Sequence, residues 1–382
     1  MADDYQHLGV FSDWVRAAND MRSLYPVAPP GAETQGRVRE VLGFCRAEET
    51  PADVQVERRW ERNGVAGEAV SWSAGYGPRT DAWILKPADA SEPLPGVVAL
   101  HDHGGFKFYG KEKIADGWGE PAPVIVQFRA GIYGGRAFAN ALANEGFVVL
   151  VHDTFLWGSR RFPLESMPES IQRMGAQSET RGMQADVTPR EIAVYNAAAS
   201  LHEHLVEKYC ALLGTTLAGV VSYEDRVAVN YLRSRPDVIG ERIGCVGLSG
   251  GGCRAALLQA TSDHISAAVV AGMMSTYAHL LDHNVASHTW MFFPHGWARY
   301  GDWPDLAACR APSPLLVQYD LDDELFTGEG MRAAHERIAA HYQSMGRPEQ
   351  YTGEFYPGPH KFDLLMQAAA FAWLKHHLQD SP

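Results

Sequence analysis

Five short runs of apolar residues recur along the chain with helical patterns between them, and this alternation limits the possible folds most strongly. The runs are nearly continuous, as expected for strands buried on both faces of a sheet. They lie at residues 96–100, 147–151, 243–248, 265–271 and 315–319. Helical patterns follow near 135–145, 330–344 and 362–378, with a further strand near 351–356. This order predicts an α/β fold with a mostly parallel, doubly wound sheet.

The first part of the chain has two other patterns. Residues 1–50 predict amphipathic helices, interrupted at Pro26–Pro30, where the prolines force an extended turn. From Val54 to about Pro87 the pattern is that of β-strands, with a hairpin signal at Asn63-Gly64. We therefore predict an N-terminal helical segment over 1–50 and an α/β domain over 51–382.

One connection is much longer than the others. Roughly 90 residues separate the strand that ends at Asp153 from the strand that begins at Ile243, whereas a typical connection has about 4–6. Part of this interval is helical, because Thr188-Pro189-Arg190-Glu191 combines an N-cap, a first-turn proline and a capping-box glutamate. That helix is predicted to reach Leu213. Residues from about 154 to 187 predict a cap insertion over one edge of the sheet, or alternatively a surface decoration.

Charge and composition exclude several classes of partner. The 382 residues include 33 Lys and Arg against 46 Asp and Glu, a formal net charge of −13. Nucleic acids and anionic membranes need a cationic face, so we expect neither as a partner. The five cysteines are scattered, and the N-terminus lacks the apolar core of a secretory signal, which favours a cytoplasmic protein. A homo-oligomer stays open.

The sharpest local motif is Gly247-Leu248-Ser249-Gly250-Gly251, between an apolar strand and a helical pattern. This is G-x-S-x-G in the strand–turn–helix context in which it marks a nucleophile. Small neighbours are needed there, because Cβ atoms would collide with the backbone of so sharp a turn. The helix N-terminus also favours negative charge near the serine. The alternative is a glycine-rich turn that only packs tightly.

A serine hydroxyl needs a base to take its proton and a third group to orient that base. In the fold that carries this motif, the acid and then the histidine follow the nucleophile along the chain. After the strand that ends at Tyr319, His360 is the one histidine in a loop, and the others lie on predicted helices. For the acid we favour Asp323, which follows that strand closely, with Asp322 as the alternative.

Acyl transfer also needs two N–H donors aimed at the developing oxyanion. The amide of Gly250, directly after the serine, is one candidate. For the second we expect Gly105, with Phe106 as an alternative, in the sequence His101-Asp102-His103-Gly104-Gly105-Phe106. A competing interpretation takes His101 and His103 as a metal pair, but no third ligand lies at a recognisable spacing. We expect neither a metal nor a cofactor.

Weaker candidates for substrate contact lie in segments that could wall a pocket for an acyl or alcohol group, although aromatic residues are more often part of a core. They are Phe106, Trp157, Arg160 and Trp290.

Together, Gly247–Gly251, Asp323, His360 and His103-Gly104-Gly105 resemble the α/β-hydrolase superfamily. From Leu100 onwards the chain is similar to its dienelactone-hydrolase-related, acetyl-xylan-esterase-like serine hydrolases. Further matching segments are Gly110-Lys111-Glu112-Lys113, Tyr231-Leu232-Arg233-Ser234-Arg235-Pro236 and Asp323-Glu324-Leu325-Phe326. The resemblance implies a serine esterase that cleaves a small-molecule carboxylic ester through an acyl-enzyme. Dienelactone hydrolase itself has a cysteine nucleophile where this chain has Ser249, so lactone specificity is not implied.

Three alternatives stay open. An amidase, peptidase or acyltransferase would use the same serine, histidine and acid. A metal-dependent hydrolase would be built on His101 and His103. A non-catalytic binding protein of this fold usually lacks one member of the triad, whereas all three candidates are present in the expected order.

Overall fold

The computed structural model describes residues 5–44, 49–178 and 187–379, and a nine-stranded sheet forms the centre of this part of the chain. The strand order is β1-β2-β3-β5-β4-β6-β7-β8-β9. The strands are β1 (Ala52–Arg62), β2 (Val65–Ser73), β3 (Thr80–Pro87), β4 (Leu94–Leu100), β5 (Val148–His152), β6 (Val238–Leu248), β7 (Ala267–Ala271), β8 (Leu315–Asp320) and β9 (Tyr351–Tyr356). From β5 to β9 the neighbours are parallel, and the other three strands pair antiparallel. The mostly parallel α/β fold predicted from the sequence is confirmed.

Helices cover both faces of this sheet. One face carries α2 (Ala32–Leu42), α7 (Leu217–Arg233), α8 (Gly250–Thr261), α9 (Trp303–Ala308) and α10 (Gly328–Ser344). The other carries α3 (Pro123–Ile132), α4 (Phe138–Ala143) and α11 (Leu364–Leu378). The remaining helices are α1 (Asp13–Arg22), α5 (Glu169–Gln177) and α6 (Arg190–Leu212). Along each parallel strand, the side chains alternate between the cores on the two faces of the sheet. Because both faces are buried, the strand sequences are nearly continuous apolar runs.

Some boundaries differ from the predicted ones for local reasons. Strand β6 begins at Val238 because its first residues pair with β4, although Gly240–Arg242 are too polar and exposed to read as a buried strand. Helix α4 begins late, after Gly134 and Gly135, whose φ angles of +62° and +80° do not belong to a helix. Helix α3 was not predicted. The hairpin at Asn63-Gly64 is confirmed, with both residues at positive φ between β1 and β2.

The N-terminal helices and the predicted insertion pack on this framework. Val38 and Leu42 of α2 are buried in the core that α7, α8 and α9 share. In the insertion, α5 packs against α6. Residues 179–186 of the predicted insertion lie outside the described residues. In the part of the chain that the structure describes, no single helix is long and apolar enough to cross a membrane; α6 and α7 pass that test only as a pair bent by 86°.

Candidate active site

Ser249 lies at the turn between β6 and α8. Its backbone has φ +58° and ψ −123°, a conformation that residues with a Cβ rarely adopt. Its N–H donates to the carbonyl of Ala271, at the end of β7, at 2.9 Å. The glycines are needed as predicted: a Cβ on Gly247 would lie 2.3 Å from the backbone of Gly251, and one on Gly251 only 2.1 Å from Leu100 O. The turn thus holds a partly exposed serine at the carboxyl ends of the parallel strands.

His360 and Asp323 form a pair close to this turn. The Nδ1 of His360 lies 2.6 Å from Oδ2 of Asp323, whose other oxygen accepts the N–H of Leu325 at 2.9 Å. Asp322 has a different role, because its carboxylate accepts the N–H of Gly358 at 2.7 Å and so fastens the loop that carries His360. The structure therefore brings Asp323, and not Asp322, to the imidazole.

The turn at Ser249 and the imidazole of His360 both lie against Gly272, the residue after Ala271. A Cβ on Gly272 would lie 3.0 Å from Cε1 of His360 and 2.9 Å from Cδ1 of Leu248, next to Ser249. The imidazole side chain is 22% exposed, but its Nε2 is shielded and has no hydrogen-bond partner among the described residues, the hydroxyl of Ser249 included. This nitrogen is the one left free to act as a base.

Two acidic groups set the protonation of this region. Burial by itself lowers the pKa of His360, but the hydrogen bond and charge of Asp323 outweigh it, and the net pKa lies above the ordinary value. Asp320 is buried beside the pair, and burial raises its pKa to about 7. Its Oδ2 accepts the N–H of Lys361 at 3.0 Å, while its Oδ1 has no partner among the described residues. Asp320 is therefore partly protonated near neutral pH.

The loop after β4, residues 101–106 (the β4 loop), runs directly over the first turn of α8. A Cβ on Gly250 would lie 2.5 Å from the backbone nitrogen of His103. Gly105, the predicted second oxyanion donor, has its N–H turned back to Nδ1 of His103 at 3.1 Å. Phe106 donates its N–H to His103 O and is not free either. Within the described residues no hydrogen bond uses the N–H of His103, which makes it the better candidate beside Gly250.

Three of the predicted substrate contacts have side chains that lie inside the protein. Phe106 packs in the aromatic part of the second core. Trp157 is buried with its ring against His103, at 5.1 Å between centroids. Arg160 is buried in an ion pair with Glu224 and also donates to backbone carbonyls. Each of these side chains is thus engaged within the protein.

Trp290 remains a candidate at the rim of the site. It is partly buried, its indole N–H donates to His204 at 2.8 Å, and its backbone N–H donates to Glu203 Oε1 at 3.2 Å. Glu203, on α6, also accepts from Nε2 of His103 at 2.8 Å and pairs with the buried Lys107. The sequence analysis missed Glu203 and Lys107, because no local pattern connects α6 with the β4 loop.

The histidines of the β4 loop do not form the alternative metal pair. His101 directs Nδ1 to the carbonyl of Asp102 at 3.0 Å, while His103 directs Nε2 to Glu203. The one group of possible metal ligands found among the described residues is Asp320, Asp323 and His360, with donor atoms within 4.8 Å of one another. Since His360 already binds Asp323 there, the arrangement fits an acid–base pair.

Known proteins resemble parts of this chain by sequence. The family described as BAAT / Acyl-CoA thioester hydrolase C terminal matches residues 223–292, which include the turn at Ser249. YtaP of Bacillus subtilis (strain 168), which is named as a provisionally assigned hydrolase, is 23% identical to this chain over 321 residues. The aligned region covers 84% of this chain and 90% of YtaP.

Solved structures with the same fold include two esterases. A glucuronoyl esterase from Solibacter usitatus has a TM-score of 0.59 at 15% identity, over 90% of this chain and 91% of its own. Acetyl xylan esterase 1 from Thermoanaerobacterium sp. JW/SL YS485 has a TM-score of 0.55 at 13% identity, over 94% and 98%. The mostly parallel sheet, the strained strand–helix turn and these similarities confirm the resemblance seen in the sequence at the level of the fold: the chain has the mostly parallel α/β fold of these esterases.

Proposed function

We propose that this protein is a serine esterase that cleaves a small-molecule carboxylic ester. The observation that carries the proposal is that the turn at Ser249 and the imidazole of His360 lie against the same residue, Gly272. The serine is strained, the imidazole Nδ1 is bound to Asp323, and Nε2 has no partner among the described residues. This arrangement activates a hydroxyl once rotation of either side chain brings Oγ of Ser249 within hydrogen-bond distance of Nε2.

The reaction then follows from these positions. The Ser249 oxygen attacks the ester carbonyl and gives its proton to Nε2 of His360, while Asp323 holds the imidazole by Nδ1 and stabilises the imidazolium. The N–H groups of Gly250 and His103 hold the oxyanion. The ester C–O bond breaks, and the leaving alcohol takes the proton from Nε2. A water molecule then gives its proton to Nε2 and attacks the acyl-enzyme, which releases the acid and returns the proton to Ser249.

A thioester is the second candidate substrate. The match to the acyl-CoA thioester hydrolase family covers residues 223–292 and so includes Ser249 and Gly250. The same acyl-enzyme forms from either ester, so the two differ in the leaving group and in its binding site. An amide or an acyl acceptor other than water would again use the same residues.

The experiment compares Ser249→Ala with Ser262→Ala on p-nitrophenyl acetate, a short acyl thioester and an anilide. Ser262 lies at the other end of the same helix, α8, and serves as the matched control. We expect Ser249→Ala to lose ester turnover and labelling by a fluorophosphonate, and Ser262→Ala to keep both. Unchanged turnover by Ser249→Ala would refute the proposal, and the ranking of the three substrates identifies the preferred leaving group.

A further inference from the structure

Lys113 is a buried cation for which the mechanism above gives no role. Its side chain is 0% exposed, in a short 3₁₀ turn at residues 111–113. Burying an ammonium group is costly unless its contacts compensate for the loss of water. Its Nζ donates to the carbonyl of Asp102, lies 3.3 Å from the carbonyl of His103, and pairs with the Asp102 carboxylate at 3.3 Å. These contacts all converge on the β4 loop.

Other buried donors hold the same stretch of backbone. Arg254 donates Nη1 to the carbonyl of His101 at 3.3 Å, and is itself bound to Asp225 at 2.6 Å. Trp157 donates its indole N–H to the carbonyl of His103 at 3.4 Å. Three consecutive carbonyls, those of residues 101–103, are thus each fixed by a buried side chain. Lys113 is the one side chain among these donors that binds two of them.

A fixed carbonyl also fixes the N–H of the next residue, because a trans peptide is planar and its C=O and N–H point in opposite directions. Since Lys113 binds the carbonyl of Asp102, the N–H of His103 points away from Lys113. Lys113 also binds the carbonyl of His103, so the N–H of Gly104 points away from Lys113 as well. The nitrogen of His103 is also the atom nearest to a Cβ built on Gly250, so the peptide lies between Lys113 and the turn at Ser249.

We propose that Lys113 is a positioning residue that orients the backbone N–H donors of the oxyanion site, above all that of His103. The inference rests on the proposed function, because it requires an oxyanion at Ser249. A donor that is already aimed in the ground state costs no reorganisation in the transition state, and one such donor is worth about 100- to 1000-fold in rate. The charge of Lys113 also polarises the two peptides in the direction that makes their N–H groups stronger donors.

The test is Lys113→Met, which removes the charge and keeps a long apolar side chain. We expect kcat for ester hydrolysis to fall by about tenfold or more with little change in KM, because an oxyanion donor acts in the transition state. Affinity for a trifluoromethyl ketone analogue, which forms the tetrahedral adduct, should fall by a similar factor. Affinity for the carboxylic acid product should stay as in the wild type.

Lys111 provides the matched control. It is a second buried lysine of the same short turn, paired with Asp153 at 2.9 Å, and its side chain has no hydrogen bond to the β4 loop within the described residues. Both Lys111→Met and Lys113→Met leave a buried carboxylate without its cation, so both should lower the unfolding midpoint. Loss of kcat and of analogue affinity should be confined to Lys113→Met, and Lys113→Arg should recover part of both.

The outcomes separate this inference from the proposed function. Equal kcat losses in the two methionine variants, or wild-type analogue affinity in Lys113→Met, would overturn the role of Lys113. If Lys113→Met does not fold, Lys113→Gln keeps a neutral donor and should show smaller, parallel losses of kcat and analogue affinity; a loss in only one of them would overturn the inference. Unchanged turnover by Ser249→Ala would instead overturn the esterase function.

Discussion

Two loops meet at Ser249, and the protein holds them in opposite ways. The β4 loop is fixed from inside by Lys113, Arg254 and Trp157, whose donors bind its carbonyls. In the loop after β9, residues 357–363 (the β9 loop), three N–H groups are held by acceptors from outside the loop. These acceptors are Asp322 for Gly358, Asp320 for Lys361, and the carbonyl of Ile132 for Phe362.

The difference follows from what each loop does in the proposed reaction. Donors for an oxyanion act as fixed dipoles, so a rigid backbone held by buried charges suits the β4 loop. His360 must gain and lose a proton, so its pKa has to stay within the working range. A buried lysine or arginine against His360 would disfavour the imidazolium, whereas Asp323 favours it. Buried cations can therefore fix the backbone of the β4 loop, whereas the charges around the β9 loop must keep the pKa of His360 in the working range.

The largest expected effect tests the acid of the β9 loop. Asp323→Asn replaces the acceptor of the His360 Nδ1–H and favours the wrong tautomer, so kcat/KM should fall by about 1,000- to 10,000-fold. Asp322→Asn alters only a hydrogen bond to Gly358 and should cost less than about tenfold. Steady-state kinetics on p-nitrophenyl acetate measures both. Similar losses in the two variants would contradict the assignment of Asp323.

The second prediction tests whether breaking a buried ion pair away from the β4 loop also lowers kcat. Arg160→Met leaves Glu224 buried without its cation, so the free energy of unfolding should fall by about 3–5 kcal/mol. At a temperature where the variant is folded, kcat should stay within about twofold, because in the described part of the chain Arg160 makes no hydrogen bond to the β4 loop. Arg161→Met, a change at a partly exposed neighbour, should cost less stability. A large loss of kcat in folded Arg160→Met would show that buried charges away from the β4 loop influence the rate as well, and would contradict the distinction.

The pH dependence distinguishes the two loops more finely. The base is neutral His360, whose pKa is raised, so kcat/KM should fall as the pH drops through a value above the ordinary 6.5. Asp320→Asn removes one of the charges that raise this pKa, so the acid limb should move to lower pH. Lys113→Met should lower the whole profile and shift its acid limb much less. An acid limb unchanged by Asp320→Asn would contradict the coupling between Asp320 and His360.

The smallest effect concerns stability. The pKa of Asp320 is about 7 in the folded protein against an ordinary 3.8, so the folded state binds this proton more tightly than the unfolded state. The free energy of unfolding of the wild type should therefore fall as the pH rises from 3.8 to about 7, and Asp320→Asn should not show this fall. Scanning calorimetry should find the variant's advantage in Tm larger at pH 8 than at pH 5, by about 1–3 °C. The opposite sign would contradict the raised pKa.

Much of the fold and part of the site could be predicted from local sequence. The apolar runs of the parallel strands gave the sheet, and glycines at the turn marked Ser249, because both signals lie within a few neighbouring residues. His360 followed from its place in a loop between a strand and a helix. Glu203 and Gly272 could not be found in this way, since each reaches the site from a distant element.

Two differences from the sequence analysis concern how polar groups are satisfied. Gly105 was the expected oxyanion donor, but the turn through Gly104 and Gly105, at φ +57° and +61°, directs its N–H back to His103. That acceptor is only two residues away, and it is the backbone turn that the sequence pattern did not specify. Arg160 looked like a pocket residue, but its partner Glu224 lies on α7, an acceptor that the local sequence does not reveal.

By itself the sequence determined the sheet, the strained turn at Ser249 and the order of the three candidate residues, because periodicity and glycine requirements act between near neighbours. Only the tertiary structure decided which carboxylate binds His360 and which carbonyls Lys113 holds in place. Those outcomes depend on hydrogen bonds between segments far apart in the chain, and a buried donor takes whichever acceptor the packing brings to it.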